Sequence, residues 1–379
     1  EWNTMPCDVH TNAPKLIHYN LDFKPWHRDD VAFGDVFWDY AERSGYLEEI
    51  RKVREGYTEW HVARSAEETT HLIAMGKKQA RKRTANDPLE DQAGGERMTS
   101  QEIPKSPERL AILEKIAQYE REGRFDEDVE NDPPSRVLLP EEIEYADRRF
   151  SAECRRTAAF GAAYLYFWNL RRKKELILRK TEGLEHLAGV QGAVITCNHF
   201  HPMDSFIMQK VFDASKHPKR MYRVIREGNY TSFPGFYGFL MRNCNTLPLS
   251  SNMQTMKKFL RTVDWVLSEG NCLLIYPEQS MWWNYRKPKP LKPGAFDMAL
   301  KNHVPVVPCF ITMADSDLVG ADGFPVQEYT PYLGAPIWPD ETLSRPAARE
   351  QLRQKTEDFC RETYEAVYGV PLRYETRES

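Results

Sequence analysis

Beyond residue 150 short apolar runs alternate with longer amphipathic stretches, and this alternation limits the chain to few folds. The runs 193–197, 221–226, 246–249, 272–276 and 305–312 read as strands, and 157–179, 204–214, 252–268, 295–301 and 346–366 as helices. Strands that are apolar throughout need cover on both faces, and the intervening helices supply it. The pattern predicts an α/β domain over 151–379, with a central mixed sheet flanked by helices.

The first of these runs leads into Val194-Ile195-Thr196-Cys197-Asn198-His199-Phe200-His201-Pro202-Met203-Asp204-Ser205-Phe206. Pro202 stops the strand, and Asp204 and Ser205 stand where a helix N-cap is expected. His199 and Asp204 can then face each other across a tight strand-to-helix turn. An imidazole that takes a proton, with a carboxylate to hold its tautomer, is the pairing a general base needs. His201 is the rival base, closer to Asp204 in the chain.

The rest of the chain differs in character. Residues 1–60 are rich in aromatics and read as a small strand-and-turn unit, while 61–150 is dominated by charged residues and reads as a helical linker. Helical patterns are expected at 61–83 and at 107–123, the second after Ser106-Pro107. The basic run Lys77-Lys78-Gln79-Ala80-Arg81-Lys82-Arg83 reads as a solvated helix face. A net charge of −4 gives no reason to expect nucleic acid. Seven scattered cysteines, with no C-x-x-C pair, suggest reduced thiols in a cytosolic setting, with neither zinc nor a disulfide framework. The chain begins with Glu1 rather than Met, which suggests a piece of something longer.

No run is long enough to span a bilayer. The aromatic stretch Thr157 to Trp168, followed by Arg171-Arg172-Lys173-Lys174, suits either the plane of a membrane interface or a buried helix with a basic end. An interfacial reading makes the protein cytoplasmic and peripheral at the inner membrane face.

Three further stretches follow His199 in order. Gly238-Phe239-Leu240-Met241-Arg242 places a cation after an apolar turn, and Tyr276-Pro277-Glu278 closes a strand with a carboxylate, where open α/β sheets build sites. Val304-Pro305-Val306-Val307-Pro308 is a proline-bounded apolar strand. Between the last two, Arg286, Lys287, Lys289 and Lys292 crowd a proline-stiffened loop that suits a phosphate or a nucleotide tail.

Together with the lead-in Lys180 to Leu187 and the run Lys292-Pro293-Gly294-Ala295-Phe296, these blocks resemble the glycerolipid acyltransferase family typified by lysophosphatidate acyltransferase. The resemblance implies acyl transfer from acyl-CoA or acyl carrier protein to a lysophospholipid or glycerol-phosphate hydroxyl, with no cofactor and no metal. It makes His199 the base and Asp204 its orienting acid. Asn198, Gly238, Arg242, Pro277, Glu278, Arg286 and Lys287 then serve the substrate, and backbone donors near 276–280 the oxyanion. One departure stands out: the third block usually reads Pro-Glu-Gly-Thr-Arg, and here Met281 replaces its phosphate-binding arginine. Arg242, Arg286 or Lys287 then substitutes, or the acceptor is a different lipid hydroxyl, for which Trp282-Trp283 would offer a lipid or sugar face.

A second resemblance covers the first 60 residues. Leu16-Ile17-His18, followed by Lys24-Pro25-Trp26, is similar to the C-terminal signature of glycogenin-like nucleotide-sugar glycosyltransferases. It implies a manganese ligand at His18 and a pyrophosphate contact at Lys24. The Asp-x-Asp and nucleotide-binding sheet that should precede them are missing, so the segment reads as a glycosyltransferase tail. Those parts lying upstream in a bifunctional parent chain is the alternative, and a membrane-surface protein with a degenerate acyltransferase fold is a third reading.

Overall fold

The structure is a computed structural model that describes residues 34–44, 47–55, 103–130 and 135–376. The chain divides into two compact units, Glu1–Thr99 and Ser100–Ser379. In the first, the described residues form helices α1 (Gly34–Ser44) and α2 (Leu47–Glu55), not strands. Aromatic side chains favour strands only where a sheet accepts them. Here Asp35 in the first turn and Arg43 in the last complement a helix dipole, and no proline interrupts. His18, Lys24, the 61–83 pattern and the basic run lie outside the described residues.

The second unit begins well inside the expected linker. Helix α3 (Pro107–Arg121) starts at Ser106, whose hydroxyl accepts the Arg109 N–H, with proline at the first helical position. Most of its charged residues face outward, the buried Glu120 excepted, and Ile112 and Ile116, one turn apart, bury against Trp282, Trp283 and Val129. The linker reading of 103–150 is therefore corrected: net polarity hid a narrow apolar stripe. The same contacts correct the reading of Trp282-Trp283 as an open lipid or sugar face, because the rings are 0% and 4% exposed.

The remaining elements are α4 (Phe150–Arg172), β1 (Ile177–Leu178), α5 (Glu185–Ala188), β2 (Ala193–Thr196), α6 (Asp204–Ala214), β3 (Met221–Ile225), α7 (Glu227–Thr231), α8 (Gly235–Asn243), β4 (Thr246–Pro248), α9 (Met253–Ser268), β5 (Cys272–Ile275), α10 (Gly294–Lys301), β6 (Val306–Val319), β7 (Pro325–Leu333) and α11 (Arg345–Tyr368). The strands form one seven-stranded sheet, ordered β1-β7-β6-β2-β5-β3-β4. All pairs are parallel except β6 with β7, so the sheet is mixed, as expected.

The strands β2 to β5 fall within a residue or two of their expected bounds, because each is buried and ends at a polar or proline signal. The expected helix 157–179 instead begins at Phe150 and stops at Arg172, and β1 forms where the helix was expected to continue. Lys174 turns the chain there, in the left-handed region at φ 57°.

β2 shows how the sheet is covered. Ala193 and Ile195 point to one face and pack with Ile207, Met208 and Val211 of α6 and with Phe167 of α4. Val194 points to the other, among Phe259 and Val263 of α9, Phe296 of α10 and Leu352 of α11. Successive strand residues face opposite layers, so a continuous apolar run is what a doubly covered strand requires. β2 is central, between β6 and β5, and delivers the residues that follow it to the C-terminal edge of the parallel strands.

Candidate active site

Cys197 and Asn198 prolong β2 as buried residues. The Asn198 carboxamide donates to the Ile311 carbonyl at 3.0 Å and accepts the Ile311 N–H at 2.8 Å. This two-way pairing ties the end of β2 to β6 and, with the side chain buried, turns it into the protein, which corrects its expected place in substrate binding.

His199 comes next, and its Nδ1 lies 2.6 Å from Asp204 Oδ2. The imidazole is a quarter exposed while the carboxylate is buried, 2% exposed. Asp204 is the first residue of α6; Met203 occupies the N-cap position and no side chain caps the helix there. The expected capping by Asp204 is thus corrected: its carboxylate faces the histidine instead, at a helix end whose dipole favours negative charge. With Nδ1 on the carboxylate, Nε2 is the nitrogen left to meet a substrate proton. The imidazole also lies against the Tyr276 ring, with centroids 4.5 Å apart.

The main chain of His199 is clamped from both sides. Its N–H donates to Glu278 Oε2 at 3.1 Å, and its carbonyl accepts the Trp282 N–H at 3.2 Å. One residue on, the Phe200 carbonyl accepts the Asn284 N–H at 2.9 Å. Glu278 is buried, and its other oxygen accepts the Lys289 N–H at 3.0 Å. Burial raises its pKa, opposed first by the charge of Lys289. Glu278 therefore holds the base loop in place, which corrects its expected contact with substrate.

His201 has a different task from the one its rivalry with His199 suggested. Its Nδ1 accepts the Met203 N–H at 3.1 Å, closing the turn into α6. Burial pushes its pKa down to about 4, against the opposing pull of Asp204, so the ring is neutral at physiological pH.

The other expected residues are placed as follows. Gly238 is buried at the start of α8, where a Cβ would collide with the Phe233 carbonyl and the Arg242 guanidinium; close packing accounts for the glycine. Arg242 donates to the Tyr230 and Phe233 carbonyls at 2.9 and 3.2 Å, and among the described residues no carboxylate pairs with it. It lines a polar cavity of about 380 Å³, together with Tyr230 and Asn245. The Pro277 carbonyl accepts the Lys292 N–H. Arg286 pairs with Asp315 at 2.7 Å, Lys287 with Glu120 at 2.5 Å, and Lys292 with Asp126 at 2.7 Å. The crowded cations are thus each matched by an anion or buried, not gathered in an open phosphate cradle. Two of the expected oxyanion donors are also engaged: Gln279 N–H bonds to the Tyr276 carbonyl and Ser280 N–H to that of Glu278.

Sequence reasoning missed the supports beneath the loop. The Ser280 hydroxyl donates to the Phe125 carbonyl at 2.8 Å, and the Trp282 indole to that of Glu127 at 2.9 Å. Their partners belong to a segment with no chemistry of its own, so no motif marked them. Among the described residues no cluster of three or more His, Cys, Asp or Glu side chains could hold a metal ion.

Residues 179–312 match the family model described as Acyltransferase. The protein is an acyltransferase. The matched stretch of the acyltransferase contains all of the expected site residues from Asn198 to Lys287, while α3, β7 and α11 lie outside it. The crystal structure of the 1-acyl-sn-glycerophosphate (LPA) acyltransferase PlsC from Thermotoga maritima is similar over 70% of this chain and 97% of that one, at 17% identity and a TM-score of 0.42. No curated protein matches the chain.

Proposed function

We propose that the acyltransferase moves a fatty acyl group from a thioester, acyl-CoA or acyl carrier protein, onto the hydroxyl of a lysophospholipid or glycerol phosphate. The observation that carries this reading is the 2.6 Å contact between His199 Nδ1 and Asp204 Oδ2, with the imidazole partly open to solvent. His199 Nε2 takes the proton of the acceptor hydroxyl as its oxygen attacks the thioester carbonyl. The tetrahedral intermediate collapses with loss of the C–S bond, and the proton passes from the imidazolium to the departing thiolate. Asp204 holds the tautomer and balances the imidazolium charge.

A phosphate-bearing acceptor is favoured because Arg242 donates to main-chain carbonyls and, among the described residues, pairs with no carboxylate. Contact with a lipid surface fits α4. Its Ala159, Ala163 and Phe167 are buried, while Leu165 and Trp168 are 66% and 56% exposed beside the basic residues 171–174. So one helix combines the two sequence readings, a buried face and an exposed aromatic one. No helix among the described residues is long and apolar enough to cross a membrane.

Incubation of the purified chain with labelled acyl-CoA or acyl carrier protein, against lysophosphatidate and a neutral lysolipid, tests the proposal. Labelled diacyl product that depends on His199 is expected. Transfer undiminished in His199→Ala, or no transfer to any lysolipid, would overturn it.

A further inference from the structure

Beneath the base loop lies a charge pair that the proton transfer does not touch. Lys289 and Glu278 are 2% and 3% exposed. A lysine is almost never buried to that extent without a partner. Its ammonium donates to the Ser280 carbonyl and hydroxyl, each at 2.7 Å, lies 4.8 Å from the centre of the Trp282 ring, and stands 3.9 Å from Glu278 Oε2. That same oxygen accepts the His199 N–H. The pair therefore meets the main chain of the base, not the reacting atoms.

We propose that Lys289 is a positioning residue for acyl transfer: its ammonium keeps Glu278 ionised in a site shut off from water, and the ionised carboxylate holds the His199 peptide so that the imidazole stays against Asp204. The inference rests on His199 being the base. The donor count supports it. Two N–H groups, of His199 and of Lys289 itself, point at the two oxygens of Glu278. A carboxylate accepts fully at both oxygens, whereas protonation turns one of them into a hydroxyl, a weaker acceptor whose own proton needs a partner. Burial favours the protonated form, and the ammonium is the group that opposes it most strongly.

Few neighbours could take over that task. Asp126 and Asp128 face Lys289 from the segment after α3. Around Glu278 stand His199 and Cys197 of the base loop, Tyr285, Cys360 of α11, and Tyr374. Burial raises the pKa of these thiols and phenols, so they stay neutral near physiological pH. Besides Lys289, only His199 among them can present a positive charge to the carboxylate.

Steady-state kinetics of the full chain as a function of pH, with acyl-CoA and lysophosphatidate and with thermal melts in parallel, tests the proposal. In Lys289→Met the acid limb of kcat should move to higher pH, giving a deficit on the order of ten- to a hundredfold near neutrality that shrinks as pH rises, with KM little changed. Lys289→Arg, which keeps the charge, should return the limb toward its original place. Glu278→Gln/Lys289→Met should be no slower than Glu278→Gln alone, since the lysine acts through the carboxylate. A Lys289→Met deficit that is constant across pH, no deficit at all, or no recovery in Lys289→Arg would overturn the proposal. So would failure of both Lys289→Met and the double variant to fold. If only the single variant fails to fold, the double variant's match to Glu278→Gln decides in favour. His199→Ala run alongside separates the two readings. High activity there overturns His199 as the base, while an inactive His199→Ala with an unmoved Lys289→Met profile overturns only the positioning role.

Discussion

The His199 imidazole lies nearly flat on the ring of Tyr276, with the planes 27° apart. The ring therefore fixes the tilt of the base, as Asp204 fixes its tautomer. Stacked aromatic pairs contribute about 0.5–1.5 kcal/mol beyond area burial. Tyr276→Leu, which keeps apolar bulk but loses the flat face, should lower kcat roughly 2- to 10-fold, and Tyr276→Phe should stay close to wild type. Equal activity of the two variants in single-turnover assays would show that the ring does not orient the base.

Removing a general base typically costs on the order of 10²- to 10⁴-fold in rate. His199→Ala should fall in that range while keeping its thermal melt. Asp204→Asn, which loses the charge that stabilises the imidazolium, should lose kcat more than it raises KM. A His201→Ala variant slower than His199→Ala would reverse the assignment.

His201 should also mark the acid limit of stability. Its pKa is near 4 in the folded chain, below the ordinary histidine value of about 6.5. Between those values the unfolded chain binds the extra proton, so folding stability is full above about pH 6.5 and declines as pH falls toward 4. His201→Asn, which can still accept the Met203 N–H, should lose less Tm between neutral and mildly acidic buffer than wild type. Parallel Tm curves for the two would remove His201 from the acid response.

Arg242→Ala should raise KM or lower kcat far more for lysophosphatidate than for a neutral lysolipid, because among the described residues no carboxylate pairs with Arg242. Arg286→Ala should be milder and less selective, since Arg286 already pairs with Asp315. Equal losses on both acceptors in Arg242→Ala would point to a neutral acceptor.

Trp168→Glu and Leu165→Glu should weaken sedimentation with anionic vesicles without lowering the melting temperature, as both side chains are exposed. High salt should release the wild-type chain from the same vesicles. Unchanged sedimentation in both variants would move the lipid contact elsewhere.

The legible parts were those that local chemistry dictates. α6 follows its expected bounds, and the pairing of His199 with Asp204 follows from a proline-stopped strand running straight into a helix. β7 escaped notice because it alternates buried and half-buried residues, includes Gln327, Glu328 and Thr330, and carries Pro325 and Pro331, which ordinarily argue against a strand. The substrate assignments of Asn198 and Glu278 failed for a different reason. A polar residue beside a catalytic motif looks the same in sequence whether it faces the substrate or the protein interior. Only the strands packed around it, here β6 and the loop after β5, decide which.

The bonds from Ser280 and Trp282 to the 125–127 main chain bear on how the enzyme can be cut. A fragment trimmed to start at residue 151, or at the matched boundary of 179, would strip Ile112, Ile116 and Val129 from Trp282 and Trp283. Two indole rings would then face water, in the loop after β5 that clamps His199. Such a fragment should keep every residue of the recognised motifs and still be sticky and inactive. One beginning ahead of Ser106 should be soluble and active.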